Sequence, residues 1–380
     1  MERSVFLVRN VGPDNFGGGE IYQLKLAREL KEHGFVPIII TNSKQLLREA
    51  KKENYKALVP PYCKRQNWSG WRNVLLPLYW MFQMKLAKWY KKMIEKYEPV
   101  VINIQSRDDM IAGTKMAKKM GIRVLWTDHA DFRNWVLWNV NARYKNVIGK
   151  RIIKLSSDVA RVIFVGKKVA EETKEMIKPS SLHNAVVIEN GIVDEKSRYE
   201  GTKAVKDSFI FVGRITKEKG IDELARAFLK IREKYPDVVL NIYGDGEAKW
   251  KEKLKGAGIK YHGHTNEPLK VMAENEIFIL PSYREGLSLS LLEAAMMEKK
   301  IIASDVDGNP EVVVNGETGL LVSAKDADKL AEAMMWMLEN KEKAETMAKN
   351  ARKKYEREFN FEKIFEEKML PLYNVSKERK

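Results

Sequence analysis

PSYREGLSLSLLEAA, residues 281–295, is the stretch whose reading decides the fold. The apolar run just before it, Ile277-Phe-Ile-Leu280, is stopped by Pro281 and reads as a short buried strand. Residues 289–297 carry apolar side chains at helical spacing. Strand, short loop, helix is the grammar of a parallel sheet covered on both faces. The spacing puts Glu285 in the strand-to-helix loop and Glu293 one to two turns into the helix, roughly 10 Å away at ~1.5 Å rise per residue. Between them lie the free amides of a helix start, which suit an anion.

The same alternation extends in both directions. Strands are expected at 4–8, 35–41, 100–105, 123–127, 162–165 and 185–189, with a helix from 20 to about 33 closed by Gly34. The pattern restarts with a strand at 209–213, a helix at 221–235 and a strand at 238–243. It continues through 277–280 and a helix at 288–297 to a strand at 301–304. The polar stretch 193–207 reads as the linker. The expected class is therefore α/β, with two Rossmann-like doubly wound domains.

Length and composition agree. A chain of 380 residues, 44% hydrophobic and 32% charged, suits two globular domains of ordinary size. The single cysteine, Cys63, cannot form an internal disulfide, and Met1 runs almost directly into a strand with no room for a signal peptide. A cytoplasmic protein is expected. The net charge of +16 is lopsided, because residues 1–200 hold 36 Lys and Arg against 21 Asp and Glu. Such a half-molecule calls for an anionic partner: a membrane surface, a charged glycan or lipid, or a nucleic acid.

Two carboxylates flanking an anion site suit a ligand with hydroxyls at both ends and a diphosphate between, the layout of a sugar nucleotide. FVGRITKEKG, at 211–220, puts Arg214 just after a strand and Lys219 before a helix, where two cations could clamp a diphosphate. Loop cations are ordinary when taken alone. Asp305-Val-Asp307 spells a metal-binding Asp-x-Asp, but it precedes the turn signal Gly308-Asn-Pro310. His262 and His264 have poor ligand spacing and read as structural or near a bound base.

With these motifs in order, the chain resembles the retaining glycosyltransferases of the GT4 family, which have the two-domain GT-B fold. The likeness rests on GGGE (17–20), IENGIVD (188–194), FVGRITKEKGIDEL (211–224), YGDGE (243–247), PSYREGLSLSLLEAA and SDVDGNPEVVVNGETGLLV (304–322). It implies domains 1–195, completed by 361–380, and 196–360, facing each other across a cleft with the donor between them. Arg214 and Lys219 would bind the donor diphosphate, with the amides of Gly286, Leu287 and Ser288. Glu285 would touch the transferred sugar and Glu293 the ribose. Gly17 and Gly18 match the family's paired glycines, and His129, in VLWTDHADF, its histidine after a strand. No metal and no cofactor are implied beyond the nucleotide-sugar substrate.

The chain departs from the family pattern at Glu298-Lys-Lys300, where a glycine is usual, and in EGLSLS, which replaces an aromatic-glycine version.

Residues 64–97 mix four tryptophans with lysines, and the apolar core at 74–87 is too short to span a bilayer. This is the composition of a helix lying in an anionic interface, or of a domain helix whose apolar side faces the sheet. The expected function is transfer of a hexose-type sugar from a nucleotide-sugar to a lipid-linked, polysaccharide or other glycan acceptor. Such an enzyme would build cell-envelope polysaccharide, peripheral on the inner face of the membrane. A nucleotide-sugar epimerase of the same fold is the alternative, and a nucleic-acid binder a weaker rival. Gly17–Gly19 is not the dinucleotide fingerprint.

Overall fold

The computed structural model describes residues 3–14, 16–61, 76–129, 147–176, 182–246, 250, 252, 254 and 256–374. They form two compact units, Met1–Glu189 with Glu362–Lys380, and Asn190–Phe361. No described helix is long and apolar enough to cross a membrane.

The first unit holds a seven-stranded sheet of β1 (Arg3–Val8), β2 (Phe35–Ile40), β3 (Lys56–Leu58), β4 (Val101–Ile104), β5 (Arg123–Asp128), β6 (Arg161–Phe164) and β7 (Ala185–Val187). All neighbours are parallel, in the order β3-β2-β1-β4-β5-β6-β7. The central strands read as unbroken apolar runs because helices cover both faces, and Val5, Phe6, Leu7 and Val8 are all fully buried. The connecting helices are α1 (Gly18–Glu32), α2 (Lys44–Lys52), α3 (Leu76–Tyr97), α4 (Arg107–Lys119), α5 (Val147–Ser156) and α6 (Lys167–Met176). Right-handed crossovers put α1 and α2 on one face and α3 to α6 on the other, since the strand order runs opposite ways from β1 and from β4. The C-terminal segment packs on this unit. Asn103 donates to the Tyr373 hydroxyl at 2.6 Å, and the Phe365 ring lies 5.1 Å from His33.

The second unit repeats the plan with β8 (Val205–Val212), β9 (Val239–Tyr243), β10 (Ile259–Gly263), β11 (Asn275–Leu280), β12 (Lys300–Ser304) and β13 (Leu320–Val322). They are parallel in the order β10-β9-β8-β11-β12-β13. Its helices are α7 (Ile221–Arg232), α8 (Pro268–Ala273), α9 (Leu289–Met296), α10 (Asn309–Val312), α11 (Ala327–Glu339) and α12 (Lys341–Glu358). The stretch read as a linker is structured instead. Lys196–Tyr199 is a 3-10 turn, and β8 already begins at Val205. Residues 190–195 belong to the second unit. Ile192 N donates to the Phe359 carbonyl at 3.0 Å, its carbonyl accepts from Phe361 N at 3.0 Å, and Arg352 pairs with Asp194. Gly191 is required there, because a Cβ would lie 2.7 Å from the Phe359 oxygen.

In each sheet the order reverses beside the first strand, between β1 and β4 and between β8 and β11. Ligands of open α/β sheets bind beyond the carboxyl ends of the strands at that switch. The loops holding Gly17, Arg214, Lys219 and Glu285 follow β1, β8 and β11.

Candidate active site

In the second unit the loops after β8 and β11 meet. Lys219 Nζ pairs with Glu285 Oε1, an oxygen that also accepts from Ser282 Oγ at 2.6 Å. The Glu285 amide donates to Asp307 Oδ2 at 3.0 Å, so the residue is held at its backbone as well as at its carboxylate. Tyr283 N donates to the Glu218 carbonyl at 2.7 Å and its hydroxyl to Glu223 at 2.6 Å. Burial and the Glu223 carboxylate hold that phenol well above its usual pKa.

Gly220 makes this closeness possible. It sits at φ 67°, ψ 32°, between the 3-10 turn Lys217–Lys219 and α7, and a Cβ there would meet the Pro281 carbonyl oxygen at 2.0 Å. Only glycine serves both the left-handed backbone and the close approach. Lys219 is thereby carried against Glu285, whereas Arg214, at the start of the same loop, is exposed.

Glu293 lies half-buried in α9. Ser288, the residue before that helix, makes no side-chain cap; its hydroxyl shares a hydrogen bond with Ser290 at 3.1 Å. The first-turn amides of α9 therefore lack a side-chain acceptor of their own, as an anion site requires. Gly286 is exposed and Leu287 half-buried beside them. Asp307, the second acid of Asp-x-Asp, is turned onto the Glu285 amide. Among the described residues no three His, Cys, Asp or Glu side chains gather as metal ligands would. His262 stacks on Tyr243 with centroids 4.4 Å apart, and His264 is exposed beside Asn266.

The first unit gathers a second group of residues. Gly17 precedes α1, whose first residue is Gly18, and the Gly17 amide donates to Glu20 Oε2 at 2.8 Å. Glu20 Oε1 accepts from Arg9 Nε at 2.7 Å, with the two side chains 3% and 12% exposed. Gly17 has extended backbone and room for a Cβ. At Gly19 a Cβ would meet the Arg9 guanidinium at 2.2 Å, so the side chain that pairs with Glu20 would have to shift. His129, just past β5, approaches Gln105 Oε1 through Nε2 at 3.1 Å and meets the Tyr22 ring edge-on at 4.9 Å. With the Gln105 amide oxygen facing the ring, Nε2 is the donor and Nδ1 is left as an acceptor. Burial, helped by the Arg9 charge, lowers the His129 pKa to about 3, so the ring is neutral.

Sequence reasoning passed over Arg9, Glu20, Gly19 and Ser282. Glu20 did carry a signal, since an acid three residues into a helix that follows a Gly turn can reach back to the turn's amide.

Two doubly wound parallel sheets, with candidate loops at the switch of each, define the GT-B class of α/β proteins. The family model "Glycosyltransferase Family 4" matches residues 16–196, and "Glycosyl transferases group 1" matches 193–354. The chain belongs to the GT4-type glycosyltransferase family. It is 29% identical over 234 residues to a capsular polysaccharide biosynthesis glycosyltransferase of Staphylococcus aureus, covering 59% of this chain and 61% of the relative. It is 26% identical over 204 residues to a glycogen synthase of Mycobacterium tuberculosis, covering 51% and 49%. The chain thus spans about half to three fifths of these relatives' lengths. A glycosyltransferase structure from Rickettsia africae superposes with TM-score 0.77 at 18% identity over 98% of both chains. An Anabaena protein crystallised with UDP-glucose does so with TM-score 0.72 at 15% identity, over 98% of this chain and 100% of that one. At such identities the likeness speaks for the fold.

Proposed function

We propose that the protein is a retaining glycosyltransferase that moves a hexose-type sugar from a nucleotide-sugar donor to a glycan or lipid-linked acceptor without a metal. The observation carrying this reading is the meeting of Lys219 and Glu285 at the switch point of the second sheet, beside the uncapped start of α9. In the proposal Arg214 and Lys219 take the diphosphate with the amides of Gly286, Leu287 and Ser288. Glu285 takes the transferred sugar, Glu293 the ribose hydroxyls, and Gly17, Gly18 and His129 supply the first unit's contacts. The UDP-glucose in the crystals of the Anabaena neighbour supports a sugar nucleotide, and the capsular relative a glycan acceptor.

Transfer would break the bond between the anomeric carbon and the phosphate oxygen, the diphosphate leaving with the electron pair. The acceptor oxygen bonds the same face of that carbon, and its proton passes to the departing phosphate. The protein's contribution is then charge stabilisation and alignment. A neutral His129 can accept a hydrogen bond there but holds no proton to donate from Nδ1. We also place the protein on the inner membrane face through 64–97, of which 64–75 lie outside the described residues.

The test is a thermal-shift panel of UDP-, GDP- and ADP-sugars, followed by product analysis with and without acceptor. One donor should raise the melting temperature by several degrees and give product only with acceptor. No shift with any donor, or conversion of the sugar without acceptor, would overturn the reading; the latter is the epimerase result.

A further inference from the structure

The face of the first sheet covered by α3, α4 and α5 carries chemistry that sugar transfer does not use. The buried side of α3 is Tyr79, Gln83, Leu86, Tyr90 and Ile94. Its opposite side grades along the axis. Leu78, Met81 and Met84 are 58%, 64% and 64% exposed, and the next turns expose Lys85, Lys88, Lys91 and Lys92. From Leu78 to Lys92 this stripe runs about 21 Å. Beside it a groove of about 500 Å³ is lined by Trp80 of α3, Lys115 of α4, and Val147, Lys150, Arg151 and Lys154 of α5. Among the described residues none of these four cations has a carboxylate within ion-pair distance. Burial and the nearby Arg151 lower the Lys115 pKa. A helix that shows methionines at one end and lysines at the other, next to a tryptophan and four cations that no described carboxylate pairs, complements a surface of phosphates over hydrocarbon.

We propose that this groove seats the headgroup phosphates of an anionic phospholipid bilayer, with Leu78, Met81 and Met84 entering the acyl boundary beside it. The inference deepens, and rests on, the membrane reading above, and it assigns the phosphate contacts to Lys115, Lys150, Arg151 and Lys154. The N-terminal end of α3 would lie deepest and Lys92 nearest the water.

Flotation of the full chain with vesicles tests it. Wild type should bind vesicles of phosphatidylcholine mixed with phosphatidylglycerol and not phosphatidylcholine alone. Lys150→Gln with Lys154→Gln should weaken that binding about 30-fold, at ~1 kcal/mol for each lysine near the surface and tenfold per ~1.4 kcal/mol. Both residues are exposed, so the melting temperature should not move. Lys51→Gln with Lys52→Gln, the same charge change on the opposite face of the sheet, should cost no more than about twofold. If wild type ignores anionic vesicles, the membrane reading falls with the groove. If wild type binds and the two double variants behave alike, the groove alone is refuted.

Discussion

Lys219→Met isolates the pair on which the proposed donor site depends. In the wild type, Lys219 and Glu285 are 19% and 10% exposed, between the solvated pairs worth ~0–1 kcal/mol and the buried ones whose breaking costs ~3–5 kcal/mol. Met keeps the length of the side chain and removes its charge. Glu285 would keep the hydrogen bond from Ser282 Oγ at 2.6 Å and lose its cation. About 2 kcal/mol of destabilisation is the figure that follows, or ~4–8 °C in melting temperature for a unit of this size. Adding Glu285→Gln to Lys219→Met should restore most of the loss, because replacing both charges removes the uncompensated carboxylate. Turnover should behave otherwise, falling at least about 100-fold in single and double variants alike, since neither can stabilise the leaving diphosphate. Thermal denaturation of the four proteins gives the coupling energy, and initial rates with the donor found by the panel give the second readout. Additive melting shifts, with no recovery in the double variant, would mean the two side chains do not touch and the loops after β8 and β11 do not meet. Wild-type turnover in Lys219→Met would remove the lysine from the mechanism.

Other outcomes follow from the same structure. Gly220→Ala should lower the melting temperature by several degrees and weaken donor binding, because the left-handed backbone costs ~1–2 kcal/mol and the methyl meets the Pro281 oxygen. His129 should show no imidazole titration by NMR between pH 5 and 8; its folded pKa near 3 lies below the unfolded value of ~6.5. The folded state then binds fewer protons across that interval, so stability should fall as the pH drops from about 6.5 towards 3, and His129→Gln should flatten that slope. Arg352→Leu removes the guanidinium paired with Asp194, leaving only the Lys196 amide on that carboxylate among the hydrogen bonds described, and should destabilise the second unit by ~1–3 kcal/mol, seen as faster proteolysis within 190–195.

Much of the fold could be read without coordinates. Strands such as β11 and β12 are buried on both faces, and that burial demands the continuous apolar runs seen in NEIFIL and KIIAS. The edge strands β3, β10 and β13 escaped notice because they are three to five residues long and half-exposed: KAL and IKYHG are not apolar runs, and LLV is too short to stand out. The linker reading at 193–207 erred for a related reason. That stretch is polar, yet Ile192 before it and Val205 within it are held by hydrogen bonds to Phe359 and Glu274, far along the chain.

The site divides in the same way. Residue type and spacing marked Arg214, Lys219, Glu285 and Glu293 as candidate ligand chemistry, because phosphates and hydroxyls limit which side chains can hold them, and the family likeness added the amides of Gly286, Leu287 and Ser288. The likeness to a family singled out Gly17, Gly18 and His129. Sequence alone could not rank Gly19 over Gly17 or add Arg9 and Ser282, nor could it show that Asp307 serves the Glu285 amide. Those facts depend on which loops cross at the switch of each sheet, and strand order, not local pattern, decides that. What the sequence determined is the set of elements and the chemistry on offer. What the tertiary structure decided is which groups touch, because Lys219 and Glu285 stand 66 residues apart and meet only through the parallel pairing of β8 with β11.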